Sequence, residues 1–201
     1  MADDTWLIIG LGNPGRQYAR TRHNIGHMAA DVLAARMGAS FTSTRAKAVA
    51  ATGRLGMRGG VPGPRAVVMK SLTYMNVSGP PVAQLAQFHS IDPERIIAIH
   101  DDVDLPFDSI KLKRGGGEGG HNGLRSMTQS LGTKDYLRVR AGVGRPPGRM
   151  DTADYVLKPF TAAELTTLPI LVDDLADAVE LLTAEGLEAA QQRFHGRSTA
   201  V

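Results

Sequence analysis

The sequence has no cysteine. That absence excludes a disulfide framework, a thiolate nucleophile and cysteine-ligated zinc, and it fits a reducing compartment. No stretch approaches the roughly 18 uninterrupted apolar residues of a membrane span, and the opening MADDTWLIIG is acidic where a secretory leader would be basic. A soluble, unexported protein without membrane attachment is expected. No GxSxG elbow offers a serine nucleophile, and no HExxH offers a zinc-binding helix. Internal repeats and long linkers are missing too, so nothing divides the chain.

What is present suits one domain. The 201 residues match a single unit of ~150 residues with a decorated end, and a hydrophobic content of 42% supplies a core. The 23 glycines and 11 prolines together stay below the ~25–30% of residues typical of low-complexity disorder. The net charge of +3 conceals an asymmetry. Residues 161–190 carry seven acids and no Lys or Arg, whereas residues 111–149 carry nine basic side chains against Glu118 and Asp135. Such a local excess attracts a polyanion, although composition alone describes a solvated basic face equally well.

Apolar periodicity orders the elements. Thr5 to Leu11 reads as a short buried strand, followed by the turn-rich GNPG and the unpatterned RQYARTRHN. Ile25, Met28, Val32, Leu33 and Met37 then recur at helical spacing. Ala46–Leu55 and Arg65–Leu72 read as an antiparallel pair joined by the loop GMRGGVPGP, whose Gly and Pro are expected to stop the ladder. Val77–His89 predicts a helix with Pro80 and Pro81 in its first turn, where a missing donor costs little. Arg95–Asp101 is the clearest buried strand; Ile110–Arg114 and Tyr136–Val143 are two more, with a helix near Leu124–Leu131 between them. Thr161 and Glu164 form a capping box that opens a last helix with apolar residues at 165, 168, 172, 175, 179 and 182, a core-packing stripe. The expected fold class is α/β: a single domain with a twisted mixed β-sheet flanked by helices. The domain should end near residue 190, with residues 191–201 as a flexible C-terminal tail.

Two literal motifs carry less than they spell. Gly10 to Gly15 reads GxGxxG with Asp31 downstream, yet Pro14 and a polar, Arg-rich stretch follow where a dinucleotide fold needs a helix. His23 and His27 lie at i, i+4 and, with Asp101, Asp102 and Asp104, could serve a metal-dependent phosphoesterase, although His23 falls at or before the helix start. The polar residues at the ends of apolar segments are more informative: Asn13, His23, Asn76, Asp101 and Asn122. In open α/β sheets that edge forms the ligand crevice. Individually each reads as a turn, cap or surface residue. Together they supply a base, a carboxylate and three amides, a set suited to water-mediated ester hydrolysis without a cofactor. The run GGGEGGHNG adds exposed backbone amides beside Lys111, Lys113 and Arg114, either a phosphate-binding nest or a flexible loop.

The segments GLGNPGRQYARTRHNIG, SLTYMNVSG, IAIHDDVDLPF, GGGEGGHNGLRSM and YLRVRAGVGRP, in this order and spacing, resemble the bacterial-type peptidyl-tRNA hydrolases over about residues 5–185. The resemblance implies a monomeric, metal-free α/β enzyme of the cytoplasm. Its expected reaction is cleavage of the ester joining a peptidyl group to the 3′ ribose of tRNA, which recycles tRNA from prematurely released peptidyl-tRNA. It implies His23 as catalytic base and Asp101 as its orienting partner. Asn13, Tyr18, Tyr74, Met75, Asn76, His121 and Asn122 would meet the substrate, and Lys113 and Arg140 the tRNA phosphates. A noncatalytic RNA-binding module is the rival from another class; it would keep the basic stretch without releasing peptide.

Overall fold

A computed structural model describes residues 4–196 of the chain. The elements follow in the order β1 (Trp6–Gly10), α1 (Ile25–Arg36), β2 (Thr42–Ser43), β3 (Ala48–Arg54), β4 (Met57–Arg58), β5 (Val61–Pro62), β6 (Arg65–Ser71) and α2 (Gly79–Phe88). They continue with β7 (Ile96–Asp102), β8 (Ile110–Arg114), α3 (Asn122–Leu131), β9 (Leu137–Gly142), α4 (Thr152–Val156), α5 (Ala162–Glu185) and α6 (Leu187–His195). Seven strands form one sheet in the order β2-β3-β6-β1-β7-β9-β8. The middle four, β6, β1, β7 and β9, are parallel, while β3 and β8 pair antiparallel at either flank. This is the single α/β domain with a mixed sheet that the periodicity implies.

Strand alternation builds two cores. Leu7 and Ile9 of β1, Val67 and Met69 of β6, and Ile96 and Ala98 of β7 pack with Val82 and Leu85 of α2 and Leu124 and Met127 of α3. The residues between them, Ile8, Val68, Ile97 and Ile99, pack with α1, α5 and α6 on the opposite face. A strand buried on both faces reads as a continuous apolar run, which is why β7 is so plain in the sequence. With β6 and β7 flanking β1 in parallel, the loops that leave all three strands emerge at one edge, where the crossovers diverge to opposite faces.

Two glycines set how closely α1 approaches that edge. A Cβ on Gly10 would lie 2.1 Å from the Gly26 carbonyl oxygen, and one on Gly26 would lie 2.4 Å from the carbonyl oxygen of Ile99. Backbone therefore touches backbone between the first turn of α1 and the ends of β1 and β7. The residues just before α1 are carried to the carboxyl end of β7.

Two expectations need correction. The 56–64 segment is more than a loop: Met57–Arg58 and Val61–Pro62 form a second small ladder across Gly59 and Gly60, both at positive φ, as a tight two-residue hairpin turn requires. Residues 191–195 are not loose but complete α6, with Ala190 and Phe194 buried in the core. Gln191 and His195, one turn apart, cover the outer edge of β8: Gln191 donates to the Leu112 carbonyl at 3.0 Å, and the Leu112 N–H donates to His195 Nε2 at 2.9 Å. Side chains thereby satisfy both outward backbone groups of Leu112 at the middle of this edge strand. The rest of the expected tail, 197–201, lies outside the described residues. Three acids of α5 are engaged with α1: Arg36 pairs with Asp177 at 2.8 Å, Glu180 at 3.4 Å and Asp173 at 3.5 Å. The capping box at Thr161 and Glu164 forms as expected.

Candidate active site

The 3₁₀ turn Arg22–Asn24 presents His23 between two buried anchors. Before it, Arg22 donates through Nη1 to the Pro159 carbonyl at 3.1 Å and through Nη2 to Glu164 at 2.9 Å, and its guanidinium lies 4.1 Å from the centre of the Tyr155 ring. After it, Asn24 exchanges two hydrogen bonds with the Asn13 backbone, each 2.9 Å. The ring between these anchors meets the end of β7. His23 Nδ1 lies 2.8 Å from Asp101 Oδ2, although the two residues are 78 positions apart.

Asp101 is buried and shared. Its other oxygen, Oδ1, lies 2.9 Å from His121 Nε2. His121 Nδ1 caps α3 by accepting the N–H groups of Gly123 at 3.1 Å and Leu124 at 3.3 Å, so its proton is on Nε2, donated to the carboxylate. By the same logic His23 carries its proton on Nδ1. Its Nε2 is the ring nitrogen left for the cleft. Burial opposes charge on both partners, but the attraction and hydrogen bonds of the two histidines hold Asp101 well below the usual carboxylate range. Burial likewise disfavours His23 imidazolium, yet the Asp101 charge and hydrogen bond outweigh it and raise the His23 pKa above its ordinary value.

These groups floor a cleft of about 650 Å³ lined by Asn13, Tyr74, Met75, Asn76 and Asn122 among others. Asn13 has a fixed orientation, because its Oδ1 accepts the Met75 N–H at 2.7 Å and leaves Nδ2 as the polar group it can offer. Asn76 and Asn122 are exposed, one in a 3₁₀ turn and the other opening α3. Tyr18 is not among the lining residues; it meets Tyr74 edge-on at 6.3 Å.

The metal reading does not find its residues together. His27 is not part of the Asp101 cluster and packs on Gly12, and burial with Lys70 nearby pushes it down to about 3. Asp102 accepts from Arg140 Nε at 2.9 Å, and Asp104 pairs with Arg145. Among the described residues, the one group with metal-ligating atoms within 4.8 Å of one another is His23, Asp101 and His121, and both contacts to Asp101 within it are hydrogen bonds. Lys113 and Arg140 lie outside the cleft lining, on β8 and β9, with Arg140 tied to the residue after Asp101.

The model of the peptidyl-tRNA hydrolase family matches residues 7–201. The chain belongs to that family. Curated peptidyl-tRNA hydrolases from Pseudarthrobacter chlorophenolicus and Rhodococcus opacus are 62% and 55% identical to it, spanning 98% and 97% of this chain and 98% and 100% of theirs. The crystal structure of peptidyl-tRNA hydrolase from Acinetobacter baumannii superposes with a TM-score of 0.87 at 31% identity, covering 98% of this chain and 97% of that one. The family match thus runs past residue 185, where the motif resemblance stops.

Within this peptidyl-tRNA hydrolase fold, Arg22, Asn24 and His100 also shape the site without standing out in the sequence. Arg22 and Asn24 flank His23 in RTRHN, and their only signal is that a charge and an amide adjoin a candidate site residue. His100 donates from Nδ1 to the Asp101 carbonyl at 2.7 Å, and its ring lies 5.0 Å from that of His121. Burial and its histidine neighbour push it down to about 3. Helix α4 was missed because five residues show no period; its Tyr155 hydroxyl donates to the Val143 carbonyl at 2.7 Å.

Proposed function

We propose that this chain hydrolyses the ester between a peptidyl or N-blocked aminoacyl group and the 3′ ribose of tRNA, with His23 as general base. His23 Nε2 takes a proton from water as the oxygen adds to the ester carbonyl. Asp101 keeps Nδ1 protonated and stabilises the imidazolium that forms. The side-chain amides of Asn13, Asn76 and Asn122 donate to the oxyanion and to the peptide group. His23 then returns its proton to the departing 3′ oxygen, and the C–O bond breaks. General-base assistance of this kind contributes ~10²–10⁴ in rate and one oxyanion donor ~2.7–4 kcal/mol, so the two together are a sufficient basis for a reaction without a metal.

The observation that carries this reading is the 2.8 Å contact between His23 Nδ1 and the buried Asp101 in a cleft floored by amides. Met75, Tyr74 and His121 contact the acyl and terminal nucleoside portions, with Tyr18 supporting Tyr74. Lys113 and Arg140 meet backbone phosphates, so affinity falls steeply with salt. Free aminoacyl-tRNA is a poor substrate, because its charged amine loses hydration without compensation. The enzyme acts as a cytoplasmic monomer; no helix among the described residues is long and apolar enough to cross a membrane. The test incubates N-acetyl-aminoacyl-tRNA with the protein, with and without EDTA. Equal release of the N-acetyl amino acid is expected. Release abolished by the chelator would replace the mechanism by a metal-dependent one, and RNA binding with no release would leave only a binding module.

A further inference from the structure

Strands β8 and β9 gather four cations on one face. In their antiparallel register Lys111 stands opposite Arg140 and Lys113 opposite Arg138, and directly opposed residues project to the same side. Arg138 is the anomaly among them. It is 0% exposed, and among the described residues no carboxylate pairs with it. Its Nη1 donates to the Gly117 carbonyl at 2.6 Å and its Nη2 to the Gly116 carbonyl at 3.0 Å, while Nε has no partner. The guanidinium lies 4.7 Å from the centre of the Tyr136 ring. Glu118, the acid of the same glycine loop, lines the cleft and makes no ion pair with it.

A buried cation held by carbonyl dipoles and a ring face, with Glu118 near enough to feel its charge but not in contact, is costly, and two consequences show what it does. The loop it pins is the platform of Lys113: Gly115 and Gly116 take positive φ, and a Cβ on Gly116 would lie 2.9 Å from Lys113 Nζ. Moreover, Lys113 has no ion-pair partner among the described residues. Partial burial, Arg140 and Arg138 all oppose its charge and depress its pKa, more than Asp102 and Glu118 support it. Arg140 spends Nε on Asp102 and keeps its terminal nitrogens. Crowded cations, of which only Arg140 has a carboxylate in contact among the described residues, form a site that an anion completes.

We propose that Arg138 is a positioning residue for a phosphate site whose ligands are Lys113 and Arg140: it pins the glycine loop beneath Lys113 and adds a buried positive charge that a tRNA phosphate offsets. The proposal rests on the hydrolase reading above. It differs from a purely structural strut in predicting an effect confined to substrates that carry those phosphates.

The experiment compares wild type with Arg138→Met and Arg138→Lys on two substrates, N-acetyl-aminoacyl-tRNA and the 3′ N-acetyl-aminoacyl ester of adenosine, which lacks phosphates. For Arg138→Met, KM for the tRNA substrate should rise about tenfold with a shallower salt dependence. Its kcat, and its kcat/KM on the adenosine ester, should be unchanged. Arg138→Lys keeps the charge but gives up the two-carbonyl fork, so about a threefold rise in KM is expected. The ammonium of Lys113, followed by NMR, should titrate higher in Arg138→Met than in wild type, a change that loss of a strut alone would not produce. Equal losses on both substrates, or no change on either, would overturn the proposal. If thermal melts show that Arg138→Met does not fold, Arg138→Lys decides, and an unchanged KM for the tRNA substrate overturns it. Failure of wild type to cleave either substrate would instead defeat the hydrolase reading.

Discussion

His23 and His27 stand one helical turn apart at the start of α1, and their surroundings drive them in opposite directions. Both are largely removed from water. His23 meets the Asp101 carboxylate and its pKa rises; His27 meets Gly12, Asn24 and the field of Lys70, and burial pushes it down to about 3. Burial alone leaves imidazole neutral and inert at physiological pH. A buried carboxylate at hydrogen-bond distance gives it a fixed tautomer and raises its pKa instead of lowering it. The i, i+4 spacing that suggests a metal pair in the sequence therefore separates a carboxylate-paired histidine from a packing one.

The largest way to break that contrast is to delete the carboxylate-paired member, the proposed base. His23→Ala should lower kcat by about 10²–10⁴ while leaving tRNA affinity intact, measured by single-turnover release and by equilibrium binding. Near-normal turnover would remove His23 from the mechanism. Asp101→Asn should come next, because it places His23 in the situation of His27. Its rate should fall less than that of His23→Ala, and the acid limb of kcat/KM should move. In wild type the base acts when neutral and its pKa is raised, so activity should fall with decreasing pH through a midpoint above 6.5, the unperturbed value. In Asp101→Asn the midpoint should lie below that of wild type. A wild-type midpoint at or under 6.5 would mean that the carboxylate does not govern the ring.

Much of this arrangement was legible in the chain. Continuous apolar runs marked β1 and β7 because both faces of those strands are covered, and the capping box marked α5. The site residues appeared as polar residues at strand ends. What stayed illegible depends on contacts between distant segments. Nothing local says that Gly10 and Gly26 meet, yet that approach carries His23 to Asp101. Nor does the sequence say that one carboxylate serves two histidines, or that Arg138, one of nine basic residues in its stretch, is wholly buried. The C-terminal residues looked loose because Gln191 and His195 gain their meaning only against the unpaired edge at Leu112. The small β4–β5 ladder was missed because Gly59 and Gly60, read as chain breakers, supply the positive φ that its turn needs.

A smaller effect should separate chemistry from attraction. Lys113→Ala and Arg140→Ala should each raise KM for tRNA substrates several-fold, flatten the salt dependence by about one unit of slope and leave kcat nearly unaltered. Arg140→Ala should be the more disruptive, since it also frees Asp102 beside the Asp101 carboxylate. KM values that ignore both substitutions and ionic strength would reduce the basic face to a solvated surface.

The smallest effect on activity should come from His27→Gln, and it sharpens the comparison through stability. A histidine lowered from 6.5 to about 3 by folding is protonated more readily in the unfolded chain. Its contribution is therefore complete above the unfolded value and is lost as pH falls, at up to ~1.4 kcal/mol per pH unit. His100, also pushed to about 3, adds a second such slope. His23 has the opposite sign: its raised pKa stabilises the fold below 6.5, and that stabilisation fades as pH rises through the folded value. Urea melts between about pH 6 and pH 4 should show His27→Gln reducing the acid slope by about one proton while turnover at neutral pH stays at the wild-type level. An unchanged slope would mean that His27 titrates in the folded protein much as it does in the unfolded chain, and the contrast between the two rings would then rest on the carboxylate alone.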